Sequence, residues 1–306
     1  MTRTLLRRGM LGVLTVIGVY TLTFVMVVTL PGNPFFQAQH AMPPELEQAL
    51  RTRYHLDNNW LYFWEVLSGA LRLDFGPTFT YHDWTCNQIL SETLPVSALL
   101  GLLAMLLAVL VGVPIGVFSA VKRGGWLDLT TIFLVLLGIS LPTFVTGSVL
   151  LLVFGVYWQI TPVGGWGTLG HLPLPAVTLA LPFAAYIARL TRVGMLDTLQ
   201  ADFVRTALAK GLSRRAAIWN HALRVAFLPV LSYLGPATAQ AMTGSFVVEK
   251  VFGVPGLGQH FVNAAINRDV GLILATVLVF STLLVVLNLV IDLLYTWLDP
   301  RIQEAA

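Results

Sequence analysis

Between Gln200 and Arg224 the chain gathers Arg205, Lys210, Arg214, Arg215 and Arg224 about one glycine, Gly211. Cations at that spacing break no bonds by themselves; they pair with acidic groups on a partner or mark the inner side of a membrane. Residues up to Lys210 suit a helix, and Gly211 fits the left-handed position that ends one. Ser213 is placed to cap a second helix beginning at Arg214. The spacing predicts two short helices, an element able to insert into a groove of a partner protein.

Elsewhere, little chemistry is gathered. His40, His55, His82, His171, His221 and His260 are scattered, and no His-Glu-x-x-His or Gly-x-Ser-x-Gly occurs. No Gly-Lys dipeptide exists, so the chain has no P-loop and would not itself bind ATP. Cys86 is the lone cysteine, which excludes an intrachain disulfide or a thiolate metal cluster. Asp292, close to Asn288 in a long apolar run, is costly if it faces lipid; a structural partner is expected, with a transport role as the alternative. His221 is expected close to the membrane surface.

The elements that position these residues follow from composition. The chain has 306 residues, 56% hydrophobic and 11% charged, with a mean hydropathy of +0.78. Soluble domains carry about 25% charged residues. Runs of ~20 residues without charge have the length that spans a bilayer. These features predict an all-α, polytopic membrane protein with about six spans: roughly 10–30, 95–121, 127–158, 174–195, 227–248 and 270–297. The third is long enough to tilt or to include a re-entrant end. The first is too long for a signal-peptide core and is read as uncleaved. Pro114, Pro142, Pro182 and Pro229 fall within or at the ends of spans, where neighbouring helices can satisfy the freed carbonyls.

Charge placement gives a direction. With the N-terminus inside, the inner segments hold Arg3, Arg7, Arg8, Lys122, Arg123, Arg189, Arg192, the basic residues of 200–224 and Arg301. Only Arg51, Arg53, Arg72, Lys250 and Arg268 fall outside, so N-in/C-in is expected. The chain is thus divided into an N-terminal span 1–30, an extracytoplasmic segment 31–93, a five-helix core 94–299 containing the inner segment 196–226, and a tail 300–306. In the outer segment, Pro43-Pro44, Glu45, Glu47, Arg51 and Arg53 predict a short helix. The cluster Trp60, Tyr62, Phe63 and Trp64 suits the membrane interface or a small folded cap.

Thr206-Ala-Leu-Ala-Lys-Gly-Leu and His221-Ala-Leu-Arg-Val-Ala-Phe-Leu-Pro resemble the EAA loop of binding-protein-dependent ABC permeases. Arg205-Thr206-Ala207 stands where the general pattern has Glu-Ala-Ala, and Leu228-Pro229 comes later than in it. Both departures match the peptide/nickel branch. The resemblance extends along the whole chain through Pro31-Gly-Asn-Pro34, Tyr54-His-Leu56, Asp74-Phe-Gly-Pro77, Leu94-Pro-Val-Ser97, Pro162-Val-Gly-Gly165, Ala188-Arg-Leu-Thr-Arg192, Val251-Phe-Gly-Val-Pro-Gly-Leu-Gly258, Asn267-Arg-Asp269 and Leu298-Asp-Pro-Arg301. It is similar to the first permease subunit of oligopeptide importers, and Pro229-Val-Leu-Ser-Tyr-Leu-Gly-Pro236 adds to that.

The resemblance implies a type I ABC importer permease of the bacterial cytoplasmic (inner) membrane. It implies a second homologous permease, two ATPase subunits that bind the ATP, an extracytoplasmic binding protein and a peptide substrate, with no nucleic acid and no cofactor on this chain. It assigns ATPase coupling to Arg205, Thr206, Ala207, Lys210, Gly211, Arg214 and Arg215, with Ala207 and Gly211 as the small-residue turn that docks. Gly253, Pro255, Gly256 and Gly258 would line the outer mouth or meet the binding protein. Dipeptides, nickel, glutathione and antimicrobial peptides are alternative substrates. An ion-coupled secondary transporter is the other reading, disfavoured by spans almost free of ionisable residues.

Overall fold

A computed structural model describes residues 2–29, 44–54, 57–81 and 83–298. The expectations on Pro31–Pro34, Pro43, His55, Leu56, His82 and the tail 300–306 lie outside these residues. Among the described residues the chain is helical throughout, with one isolated bridge, Pro77 to Thr85. The helices are α1 (Thr2–Thr29), α2 (Pro44–Arg53), α3 (Asn59–Leu71), α4 (Cys86–Val121), α5 (Trp126–Ser140), α6 (Thr143–Tyr157, π-helical from Leu151), α7 (Pro173–Thr198) and α8 (Asp202–Ala209). They continue with α9 (Arg214–Ala226), α10 (Leu228–Met242), α11 (Phe246–Phe252), α12 (Leu257–Asn267) and α13 (Val270–Leu298).

Four helical stretches cross a membrane by length and apolarity: Leu6–Thr29, Cys86–Val121, Leu169–Thr198 and Val270–Leu294. Two bent pairs make the number six if each is counted as one span. α5 and α6 meet at 105°, and α9 and α10 at 54°. The third predicted span is therefore two helices. Its break has a local cause: Leu141 precedes Pro142 and takes φ −76, ψ 127, the extended conformation that a following proline imposes. The fifth predicted span, 227–248, is corrected too. Its helix stops at Met242, Gly244 turns at φ 88, and Ser245 caps α11 by accepting from the Val248 amide at 3.4 Å.

The residues group into two compact units, Met1–Ser97 with Pro255–Val286, and Ala98–Val254 with the rest of the C-terminal helix. In the first unit, Cys86, Ile89, Leu90, Leu257, Leu272 and Ile273 form one buried cluster. Tyr20, Phe24, Tyr62, Leu274 and Leu278 form another. The predicted short helix is α2, with Arg51 and Arg53 in its last turn. Asn58 caps α3, accepting from the Trp60 and Leu61 amides at 3.1 and 3.3 Å.

In the second unit, α7 is central and packs against α5, α6, α9, α10 and α11. Small residues let backbones approach, as expected where lipid removes much of the hydrophobic drive between helices. A Cβ at Gly116 of α4 would lie 2.5 Å from the Ala188 carbonyl oxygen of α7, and one at Gly194 of α7 would lie 2.7 Å from the Ala226 carbonyl oxygen of α9.

Candidate functional site: a basic helix-turn-helix on a braced span

α8 is amphipathic. Val204 and Ala207, three residues apart, are buried, while Phe203, Arg205, Thr206 and Leu208 are exposed. The helix ends as the glycine predicts. Gly211 has φ 86, its amide donates to the Leu208 carbonyl at 2.9 Å, and the Leu212 amide donates to the Ala207 carbonyl at 3.2 Å. These two bonds satisfy carbonyls that a helix end would otherwise orphan. Ser213 then caps α9, its Oγ accepting from the Ala216 amide at 3.3 Å.

The structure brings the seven residues of this element together but does not present them alike. Arg205, Thr206, Lys210, Gly211, Arg214 and Arg215 are exposed, whereas Ala207 is 7% exposed and faces inward. Arg205 lies 3.7 Å from Asp202, an exposed pair that contributes little. An open groove beside the turn is lined by Ser213, Arg215, Ala216, Trp219 and Asn220. Arrayed cations, exposed Phe203 and Leu208, and a groove equip this surface to bind a protein.

The element is tied to the spans. On α9, Ala217, Ile218, Ala222 and Ala226 are buried, and the Trp219 ring meets Phe118 of α4 edge-on at 6.5 Å. Above it, Arg192 of α7 grips Asp128 of α5 with two hydrogen bonds, Nε to Oδ1 at 2.8 Å and Nη2 to Oδ2 at 2.9 Å. Ser119 of α4 donates to the same carboxylate at 2.5 Å, and the Gly124 amide donates at 3.0 Å. Sequence reasoning read Arg192 as a topology signal and as part of a motif, and gave Asp128 no role. The available signal was a lone acid at the start of an apolar span, which needs a partner.

The predicted outer-mouth residues divide between exposed and buried. Gly253 ends α11 in the left-handed conformation, φ 63, and is exposed; beside it the Gly165 amide donates to the Phe252 carbonyl at 2.8 Å. Pro255 is exposed, but Gly256 and Gly258 are buried, and the Leu257 amide donates to Ser97 Oγ at 2.8 Å. In the first unit, Asp269 is fully buried and collects donors from the 74–85 loop: the Thr78 hydroxyl, and the Phe79 and Thr80 amides at 2.9 Å each. Its other oxygen accepts from the Leu272 amide at 3.0 Å, capping α13. Sequence reasoning saw Asp269 only as part of a motif.

The remaining candidates have structural settings. Cys86 is buried, with Sγ 3.2 Å from the Pro77 carbonyl oxygen. His221 is exposed and Asp292 half-buried. Among the described residues no three His, Cys, Asp or Glu side chains gather as a metal site.

Residues 112–304 match the family model of the binding-protein-dependent transport system inner membrane component. The chain belongs to this family. The matched region of this permease contains the α8–α9 element and the Asp128–Arg192 brace. Over 306 residues, 99% of this chain and 100% of the relative, the permease is 41% identical to the oligopeptide transport system permease protein OppB of Salmonella typhimurium. It is 40% identical to the protein of that name from Escherichia coli K12 over the same lengths. It is 38% identical to the dipeptide transport system permease protein DppB of Bacillus subtilis, across 99% of this chain and 98% of that one. The expected class therefore stands: a multi-pass, all-α permease of the inner membrane.

Proposed function

We propose that this permease forms half of the translocation pathway of an ATP-driven importer for peptides, chiefly oligopeptides. The other half is a second, homologous permease. An extracytoplasmic binding protein delivers the peptide, and two ATPase subunits bind and hydrolyse ATP. The chain itself holds no cofactor and catalyses no reaction. The reading is carried by the full-length likeness to two proteins named as oligopeptide permeases. The DppB likeness at 38% identity supports dipeptides as the second reading.

In this reading both termini are cytoplasmic, and the α8–Gly211–α9 element faces the ATPases. Arg205, Lys210, Arg214 and Arg215 pair with acidic groups there, and Gly211 lets the turn seat closely. Force enters at the turn and passes to α7 through the Gly194–Ala226 approach and to α4 through Trp219 and Phe118. ATP binding can drive the cycle only if it favours one state of the bundle over the other.

The test is reconstitution with the proteins that copurify with this chain. ATP-dependent uptake of labelled tetrapeptides in preference to dipeptides is the expected result. Preference for dipeptides selects the second reading. Uptake driven by a proton gradient without ATPases rejects both.

A further inference from the structure

The outer helix α3 has an unusual relation to the first span. The Tyr20 hydroxyl of α1 donates to the Phe63 carbonyl of α3 at 2.8 Å, and the Tyr20 and Phe24 rings lie 4.9 and 5.2 Å from the Phe63 ring. Tyr20 is fully buried by these contacts. It stands nine residues before the end of α1 at Thr29, or ~14 Å along the axis at 1.5 Å per residue. Most of the rest of α1 is open, with only 11% of its membrane window buried. α3 is thus held against the C-terminal half of an apolar span.

The faces of α3 differ in polarity. Tyr62, Phe63, Val66, Leu67 and Ala70 pack inward. Trp60, Trp64 and Leu71, spaced by four and seven residues, share one edge and are 66%, 48% and 85% exposed. Glu65, Ser68 and Arg72 share the neighbouring edge and are also exposed. The Trp60 ring stacks on Phe63 at 6.0 Å and meets Trp64 edge-on at 5.7 Å, so the apolar edge is a rigid aromatic strip. In water that strip would forgo ~25 cal/mol for each Å² of apolar area left exposed. Beside headgroups it occupies the zone where indole rings are favoured.

We propose that α3 is an interfacial membrane helix, lying in the leaflet that holds the C-terminal half of α1. Trp60, Trp64 and Leu71 contact lipid acyl chains, while Glu65, Ser68 and Arg72 face headgroups and water. α3 is then part of the membrane-embedded body, not of a water-borne connector. The contacts with Tyr20 and Phe24 of the span and continuity with the open face of α1 select lipid as the occupant.

Nitroxide accessibility tests this in the assembled transporter within lipid nanodiscs. Trp64→Cys and Ser68→Cys each receive a spin label; the unsubstituted chain, whose only cysteine is the buried Cys86, is the labelling control. The ratio of oxygen to water-soluble nickel-chelate accessibility is expected to be several-fold higher at position 64 than at 68. A ratio at 64 equal to or below that at 68 overturns the proposal, because the strip then faces water. Shielding from both relaxants at 64 also overturns it, because a protein surface then covers the strip. Both substitutions fall on exposed positions, so loss of folding is not the expected outcome of either.

Discussion

Arg192 and Asp128 are 64 positions apart, yet their side chains meet in two hydrogen bonds of 2.8 and 2.9 Å, with the Asp128 side chain 4% exposed and that of Arg192 22%. The pair joins α5 to α7, and Ser119 adds α4. Three spans are fastened at one point, close to the element that we assign to ATPase coupling.

Breaking one side of a buried pair leaves a charge without compensation, at a cost of about 3–5 kcal/mol. Asp128→Asn and Arg192→Gln are each expected to lower the melting temperature of the detergent-solubilised permease. The double variant is expected to lose less than the sum of the two losses. Additive losses would show that the pair is not coupled.

Gly211 separates backbone from surface effects. It has φ 86, and nothing lies within 4 Å of a Cβ placed there. Gly211→Ala is expected to cost only about 1–2 kcal/mol, the strain of a side chain in the left-handed region, and to keep much of the peptide uptake. Gly211→Arg places a long cation on the docking surface. It is expected to insert into the membrane normally and to abolish uptake. Undiminished uptake by this variant rejects the coupling role.

Asp269 holds the 74–85 loop by one oxygen. Asp269→Ala strands the Thr78 hydroxyl and the Phe79 and Thr80 amides in a buried place. Hydrogen bonds to a charged group contribute about 1.5–3 kcal/mol each, so a loss of several kcal/mol is expected. Amide hydrogen exchange in residues 74–85 should accelerate markedly. Asp269→Asn keeps an acceptor and is expected to do less harm.

His260, on α12 outside the spans, gives a pH dependence. Burial lowers its pKa below the ordinary 6.5, and its buried Nδ1 has no hydrogen-bond partner among the described residues. The folded chain therefore holds fewer protons at this site than the unfolded chain. Stability is complete above the unfolded value and falls as pH drops through about 6.5 toward the folded pKa. Between pH 7.5 and 5.5 the wild-type melting temperature is expected to fall further than that of His260→Gln. Parallel falls would remove His260 as the cause.

Local features were legible from residue types alone. The turn at Gly211 and the cap at Ser213 depend on one residue's φ and one hydroxyl's reach, and both stand as expected. The bend at Pro142 was signalled by a proline in an overlong run, but its 105° angle was not. The inward aim of Ala207 was missed because an alanine at a small-residue turn fits either face until the neighbouring span is placed. Thr78 and Asp269 were missed as partners for a similar reason: they are 191 positions apart, and no local pattern links them.

The sequence by itself determined that this chain dwells in a membrane, where its long apolar runs lie and which short basic segment stands apart from them. Hydropathy over ~20 residues, proline and glycine act within one or two turns, and no distant contact is needed to read them. Only the tertiary structure decided which buried charges meet and which helix lies at the centre of the second unit. It also placed α3 against the C-terminal half of α1. These outcomes depend on side chains that are far apart in the chain and become neighbours only when the helices pack.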